Sequence, residues 1–441
     1  MSRTSSTSPV PFILLGIFSV MGLFVPLVAD FDGSKVYNYA DISWMLISSA
    51  LVLLMTPGLS FFYGGMVGRK NVLSTMLQSF IATGLISVLW IICGFGLAFG
   101  KSIGGFIGDP STFFMMRGIN GHEPWSLAPS IPILLFALFQ MKFAIITPAL
   151  VVGATAERIR FTAYVLFMIL FSLLIYAPIA HWNWHPDGFL AKMGVIDFAG
   201  GTVVHISAGC AALAGAILLK RRKVHITKEE VKPARIPYVL LGTGLLWFGW
   251  FGFNAGSALA ANGLAVDAFA NTNTASAAAG LSWIFFDSVR GRKPSSLGFC
   301  IGAVVGLVAI TPASGYVGVP QSIFIGFIAA ICSNIAVYWK GKTTIDDTLD
   351  VFPCHGIGGI VGMIMTGMLA SKKINPAGND GLFYGGTQFF LHQVLGCLIV
   401  VVFATVMGFI VFKIVDLIVP LRVTVEEEET GLDLTQHDEK L

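Results

Sequence analysis

The sequence contains little charge. Only 12% of its 441 residues are Asp, Glu, Lys or Arg, whereas a soluble domain usually carries about 25%. Hydrophobic residues make up 55% of the chain, and they form runs of roughly 20 residues, the length that a helix needs to cross the hydrocarbon core. These features exclude an ordinary soluble domain and predict a polytopic integral membrane protein.

The sequence also lacks the features of several function classes. Its six cysteines lie in or beside apolar segments, so they predict neither a disulfide framework nor a metal site. The net charge is only +3 and no long basic stretch with aromatics occurs, which argues against nucleic-acid binding. No nucleophile, metal set or cofactor loop accompanies the candidate site residues, so we expect no enzyme activity, no metal and no cofactor.

The apolar runs predict an all-α protein with eleven transmembrane helices, because only helices satisfy the backbone of such long spans in lipid. Abundant glycine, 50 residues, favours close packing of these helices. The predicted spans are 41–63, 73–99, 130–153, 161–181, 201–219, 236–257, 271–287, 296–313, 320–339, 350–370 and 386–418.

The loops between these spans differ in basic residues. One alternate set holds sixteen Lys and Arg and the other set holds six. Basic loops stay in the cytoplasm, so the N-terminus of the eleven-span protein is predicted outside and the C-terminus inside. The plasma (inner) membrane is the expected location.

The two ends of the chain are predicted separately. Residues 1–29 combine Arg3, an apolar run and "PLVAD", which predicts a signal peptide cleaved after Ala29; an uncleaved extra helix is the alternative. Residues 421–441 form an acidic tail, read either as a disordered solubilising end or as a docking element for a cytoplasmic partner.

Two histidines lie inside predicted spans in matching surroundings. "DFAGGTVVHISAG" places Asp197 eight residues before His205 in span five, and "DVFPCHGIGG" places Asp350 five residues before His355 in span ten. An ionisable side chain within a membrane is costly and indicates function. Asp197 is interpreted as a helix cap that supports the external mouth and affects cation binding indirectly, and Asp350 as a similar supporting residue.

Because the two histidines lie five spans apart, helices 1–5 and 6–10 are predicted to form an inverted repeat with a central pore. Such repeats place a substrate site near the midplane at their interface, where the histidines would meet. A single buried histidine is more often structural, and a metal site would need a third or fourth ligand. The matched pair favours imidazoles that donate, accept and pass a proton.

Several long strings carry a family resemblance: "ADISWMLISSALVLLMTPGLSFFYGGMVGRKNVLSTM", "GATAERIRF", "DFAGGTVVHISAG", "GWFGFNAGSALAAN" and "DDTLDVFPCHGIGGIVG". In this order they resemble the ammonium transporter (Amt) family of the Amt/Mep/Rh superfamily, from about residue 40 to 435. The resemblance implies a transporter domain over 40–420, followed by the cytoplasmic tail 421–441. It also implies a homotrimer with one pore per subunit.

The resemblance assigns roles to particular residues. It implies that His205 and His355 form a twin-histidine relay in the pore, and that Phe143 and Phe253 form the pore gate. The remaining implied residues are the ammonium-binding Phe139, Trp184 and Ser257, the pore-lining Trp250 and the supporting Asp197. Ammonium, often methylammonium, is the implied substrate, and the tail is implied in regulation by PII-type signalling proteins.

The physical mechanism expected from these residues is recruitment of ammonium on aromatic faces, deprotonation, and passage through an apolar pore where a bare charge is disfavoured. A passive ammonia gas channel and an ammonium sensor are the alternatives. Two departures from the family leave questions. Lys142 directly precedes Phe143, and the tail is short and reads "GLDLTQHDEKL" at its end, which leaves regulation by PII open.

Overall fold

A computed structural model describes residues 9–26, 38–229 and 232–441. Helix is the dominant structure. In chain order the helices are α1 Val10–Gly22, α2 Tyr39–Met66, α3 Arg69–Phe99, α4 Ile133–Thr155, α5 Phe161–Lys192, α6 Gly201–Leu219, α7 Lys223–Thr227, α8 Ile236–Gly256, α9 Gly263–Val289, α10 Ser296–Ile310, α11 Val319–Lys340, α12 Phe352–Leu369, α13 Thr387–Ile418, α14 Val425–Thr430 and α15 Leu432–His437.

A helix lies at each of the eleven predicted spans. Among the described residues, nine helices are long and apolar enough to cross a membrane. The other two predicted spans correspond to α9, which is long but carries the polar stretch "NTNT", and to α10, which is apolar but has only 15 residues. The prediction of an all-α polytopic membrane protein is confirmed.

Short antiparallel hairpins cover one end of the helices. Strand β1 (Ser102–Ile103) pairs with β2 (Ile107–Gly108), and β3 (Pro124–Trp125) pairs with β4 (Ala128–Pro132). Both hairpins lie between α3 and α4. This end is called the hairpin face below, and the opposite end, which carries α14 and α15, is called the tail face.

Helices α2 and α8, the first of each predicted repeat, pack closely through glycine. A Cβ on Gly242 would lie 2.3 Å from the Phe62 backbone nitrogen, and a Cβ on Gly252 would lie 2.6 Å from the Leu51 Cβ. Any larger residue would separate the helices, so glycine sets their distance.

Helices α6 and α12, the last of each repeat, cross at a second glycine contact. A Cβ on Gly209 would lie 2.2 Å from the backbone nitrogen of Gly356, and a Cβ on Gly359 would lie 3.3 Å from the Cβ of His205. Each of the two helices begins with a six-residue π-helical turn, Gly201–Ile206 and Phe352–Ile357. The glycine contact therefore brings together the two turns that carry the histidines.

The C-terminal tail is folded onto the tail face. A capping box at Thr424 and Glu427 starts α14. The Asp433 carboxylate accepts a hydrogen bond from the Ser74 backbone N–H at 2.8 Å, and Leu432 N–H donates to the Asn71 side chain at 2.9 Å. The interpretation of residues 421–441 as a disordered end is therefore wrong for this acidic segment.

Helix α1 lies within the stretch read as a signal peptide. Most of its apolar side chains are exposed, Phe12 to 81%, and Pro11 lies in its first turn, where proline is tolerated. Residues 1–8 and 27–37, including the predicted cleavage site after Ala29, lie outside the described residues. Cleavage stays a prediction.

Candidate functional site

A vestibule of about 200 Å³ opens at the hairpin face. Trp184 and Ser257, two of the predicted ammonium-binding residues, line it together with Phe143. The Trp184 indole N–H donates to the Asp197 carbonyl oxygen at 3.0 Å, which fixes the orientation of the ring. The Ser257 hydroxyl donates to the Phe253 carbonyl at 2.9 Å, so its oxygen lone pairs can accept from a guest.

Phe139 lies behind the vestibule. It is fully buried, and its ring meets Phe143 edge to face with 4.9 Å between centroids. Gln140 and Phe136 line the vestibule instead. Phe139 therefore supports Phe143 from behind. Gln140, which was not identified from the sequence, lies at the surface that a cation would meet.

Phe143 and Phe253 close the vestibule from below. Their rings stack with centroids 4.2 Å apart and an interplanar angle of 28°. Phe143 lines the vestibule, whereas Phe253 lines a second cavity beneath it. Both side chains are at most 1% exposed. The stacked pair therefore separates two cavities.

The second cavity is narrow, with a volume of about 10 Å³, and is almost entirely apolar. Its polar groups are the side chains of His205, His355 and Trp250. The remaining lining residues are Met55, Leu59, Phe62, Ile146, Leu150, Val204, Leu246, Phe253 and Val304.

The two histidines meet in this cavity. Their Nδ1 atoms lie 3.3 Å apart, so one Nδ1 carries a proton and the other accepts it. The Nε2 atom of His205 is buried and has no hydrogen-bond partner within the described residues. An unpartnered buried nitrogen beside an apolar cavity leaves room for a small guest that donates or accepts a hydrogen bond.

Trp250 forms one wall beside the pair. Its ring lies parallel to His205, with centroids 5.3 Å apart and an angle of 18°. The indole N–H donates to the Thr311 hydroxyl at 2.9 Å, so the ring is held by α10 and its extension. Thr311 was not identified from the sequence, because a threonine near a helix end carries no local signal of this role.

Asp197 caps the start of α6. Its Oδ1 accepts from Gly200 and Gly201 N–H at 2.9 and 2.6 Å, and its Oδ2 accepts from the backbone N–H and hydroxyl of Thr202 at 2.7 and 2.5 Å. Gly200 has a positive φ of 114°, which favours glycine at this turn. The carboxylate is thus fully occupied by the helix start.

The corresponding cap of α12 is Asp347. Its Oδ1 accepts from Val351 N–H at 3.0 Å and its Oδ2 from Phe352 N–H at 2.8 Å. Asp350, the residue chosen from the sequence, instead forms an ion pair with Lys340 at 2.7 Å. The missed signal is spacing: Asp347 precedes His355 by eight residues, as Asp197 precedes His205.

Lys142 lines neither cavity. It lies on α4 next to Phe143 and is half-buried. Adjacent helical residues point about 100° apart, so its ammonium is directed away from the pore.

A buried charge cluster lies beneath α12 at the tail face. The Arg222 guanidinium donates to Glu157 at 2.5 Å and to both carboxylate oxygens of Asp346 at 2.8 and 2.9 Å. Burial opposes ionisation of Asp346, but the Arg222 guanidinium outweighs it and holds the pKa of Asp346 well below its usual range. The cluster ties the loop before α12 to the loops after α4 and α6.

Two further histidines lie near the hairpin face. His181 and His185 stack with centroids 4.4 Å apart. The Nδ1 of His181 contacts the Ala98 carbonyl and its Nε2 contacts the Ser102 hydroxyl, both at 2.8 Å. In residues 9–26, 38–229 and 232–441, no group of three or more His, Cys, Asp or Glu could hold a metal ion.

Comparison with known proteins identifies the family. The model of the Ammonium Transporter Family matches residues 43–441. An ammonium transporter of Bacillus subtilis (strain 168) is 47% identical over 403 residues, which cover 91% of this chain and 98% of that protein.

Solved structures show the same fold. The crystal structure of Saccharomyces cerevisiae Mep2 has a TM-score of 0.84 and 33% identity, over 90% of each chain. A structure described as a sensor Amt protein has a TM-score of 0.81 and 30% identity, over 90% of this chain and 98% of that one. The chain, a multi-pass membrane protein with two histidines facing each other in an apolar cavity, belongs to the ammonium transporter family.

Proposed function

We propose that the protein takes up ammonium at the hairpin face, removes its proton behind the phenylalanine pair and passes ammonia through the apolar cavity to the tail face. The observation that carries this proposal is the 3.3 Å contact between the two imidazoles inside a cavity with almost no other polar group. The hairpin face is then external, and the tail face is cytoplasmic.

Recruitment rests on the vestibule. The faces of Trp184 and Phe143 each attract a cation by roughly 0.5–2 kcal/mol, and Ser257 accepts one directional N–H bond. Phe139 supports this site from behind. Ammonium and potassium have similar size and charge, so the aromatic faces by themselves select cations of this class.

Selection against potassium occurs at the next step. Below the Phe143 and Phe253 pair an isolated charge is disfavoured by several kcal/mol, and neutralisation is the less costly route. Ammonium can transfer a proton to the His205 and His355 pair and continue as ammonia. Potassium has no proton to lose and stays in the vestibule.

The assembly and location follow the family. We infer a homotrimer in the plasma (inner) membrane with an external N-terminus. The folded tail is the surface for a PII-type signalling protein. Methylammonium, which keeps three N–H donors, is a second substrate.

Two alternatives share this geometry. In a passive ammonia channel the proton stays outside, and in a sensor the folded tail signals to a partner; a sensor Amt protein is among the related structures. Proteoliposomes pulsed with ammonium separate the three. A sustained current supports transport with return of the proton. A rise in internal pH beyond that of empty liposomes, without current, indicates ammonia passage, and neither signal favours a sensor.

A further inference from the structure

The two capping aspartates also share a second contact. Each main-chain carbonyl accepts a hydrogen bond from a side chain of the preceding spanning helix. On the hairpin face the donor is the Trp184 indole of α5, 3.0 Å from the Asp197 oxygen. On the tail face it is the Lys340 ammonium of α11, 2.6 Å from the Asp347 oxygen. Helices α5 and α11 are the fourth members of the two repeats, so Lys340 makes in the second repeat the contact that Trp184 makes in the first.

The chemistry of the two positions is opposite. Trp184 offers an aromatic face that attracts a cation, whereas Lys340 is itself a primary ammonium. Its Nζ contacts the Asp347 carbonyl and the Asp350 carboxylate, the latter at 2.7 Å. A carbonyl and a carboxylate are the acceptors that a free ammonium ion would use.

This position lies next to the inner end of the pore. Leu150 and Phe62 line the cavity, and the Tyr63 hydroxyl donates to the Leu150 carbonyl at 3.0 Å. A Cβ on Gly153, one turn further, would contact both Tyr63 and Val351. Val351 directly follows Asp350, and the Lys340 and Asp350 side chains are 19% and 23% exposed, as expected at a mouth that water reaches.

We propose that Lys340 is a tethered ammonium that fills the inner counterpart of the recruitment site and prevents ammonium from rebinding there after transport. It is a positioning and specificity residue, since it contacts neither the histidines nor the cavity. The proposal rests on the proposed transport function. It makes the pore asymmetric: ammonium has a binding site at the hairpin face and none at the tail face.

The asymmetry is visible in half-saturating concentrations. At equal pH and zero voltage, a passive transporter must show the same increase of transport rate with ammonium concentration, at low concentration, in both directions. The absence of an inner site therefore raises the half-saturating concentration only for ammonium supplied from the inner side. Right-side-out and inside-out membrane vesicles present the two faces separately. Ammonium currents are measured on each for wild type, Lys340→Met, Lys340→Arg and Lys342→Met, with vesicles from cells lacking the protein as background.

Lys340→Met should lower the inner half-saturating concentration about fivefold, the effect of one partly exposed ion pair, and leave the outer value within twofold. Lys340→Arg keeps a cation in place and should behave like wild type. Lys342→Met is the matched control, because Lys342 lies over the Tyr338 ring at 4.2 Å and does not contact the caps. An unchanged inner value in Lys340→Met, with currents intact, would overturn the proposal.

A binding measurement separates this proposal from the transport function. Purified wild type and Lys340→Met are heated in ammonium chloride or in choline chloride of the same concentration. Ammonium that binds in the inner site, once Lys340 no longer fills it, stabilises the variant by mass action. Ammonium should therefore raise the Tm of Lys340→Met more than that of wild type. If ammonium raised the Tm of wild type and of Lys340→Met equally, the proposed inner site would be contradicted, whether or not the protein transports ammonium. The absence of any current in the vesicle experiment would instead count against the transport function.

Discussion

The starts of α6 and α12 have the same local structure but different surroundings. Both begin with a six-residue π turn, an aspartate cap eight residues before the histidine, and a side chain bonded to the carbonyl of that aspartate. The α6 start faces an open aromatic vestibule. The α12 start lies against a buried charge cluster that includes Arg222 and Asp346. The local structure that the two helix starts share positions the histidines, and the surroundings that differ distinguish the hairpin face from the tail face.

The largest expected effect comes from breaking the shared feature at the centre. His205→Ala and His355→Ala should each lower the ammonium current about 100-fold, because the proton loses its acceptor and general acid–base groups contribute at least this much. Currents in proteoliposomes are normalised to the amount of protein. Val204→Ala, which alters the same cavity lining, should retain current. Near-normal current in either histidine variant would refute the relay.

The next effect sharpens the comparison of the two caps. Asp197→Ala and Asp347→Ala should each destabilise the protein by ~1–3 kcal/mol, since each leaves buried backbone N–H groups without an acceptor. Asp350→Ala removes only a partly exposed ion pair and should cost less than ~1 kcal/mol. Thermal unfolding in one detergent measures all three. If Asp350→Ala were as damaging as Asp347→Ala, the assignment of the α12 cap would be incorrect.

A smaller effect concerns the C-terminal tail, which packs on the tail face and not on the hairpin face. His437 contacts the Ser74 hydroxyl at 3.1 Å, and burial lowers the pKa of His437 although Glu439 and Asp433 oppose this shift. The docked tail therefore binds fewer protons than a released tail, and docking should weaken as the pH falls below about 6.5. After correction for the intrinsic exchange rate, which itself falls as the pH is lowered, hydrogen exchange should show smaller protection factors for residues 425–437 at pH 6.0 than at pH 7.5.

The control for the tail experiment is His437→Gln. Burial raises the pKa of Asp433, which favours docking at lower pH and so acts in the opposite direction. The glutamine variant keeps Asp433 and removes the histidine titration. Its protection factors should not fall at pH 6.0; a fall of the same size in this variant would assign the pH response to another group.

The smallest effect is expected at Lys142. Lys142→Met should change transport by less than about twofold, since the side chain lines neither cavity. Removing a charge from a spanning helix should leave stability unchanged or raise it. Current and thermal unfolding measure both. A large gain or loss of current would place Lys142 in the pore and contradict the geometry.

The fold was predictable because its signals are local and long. Runs of about 20 apolar residues located the helices even where α9 carries polar residues. Contacts between distant segments were harder to predict. The acidic composition of the tail suggested disorder, but its order comes from partners such as Asn71 and Ser74, some 360 residues away.

The candidate site shows the same difference between local sequence signals and contacts of distant segments. The matched surroundings of His205 and His355 in the sequence predicted the repeat and a meeting of the two side chains, and the structure brings them together across the glycine contact. The cap of α12 did not follow, because Asp350, the acidic residue nearest to His355, was chosen as the supporting residue, whereas the eight-residue spacing of the first repeat points to Asp347. The roles of Thr311 and Lys340 depend on helices that meet only in the folded protein.

The most direct measurement of the central claim, that ammonium gives up its proton inside the pore, compares ammonium with potassium in the same wild-type proteoliposomes. The account predicts a sustained current after an ammonium pulse and no current above that of empty liposomes after a potassium pulse of equal concentration. A potassium current matching the ammonium current would contradict it, because potassium could then cross the apolar cavity without a proton to lose.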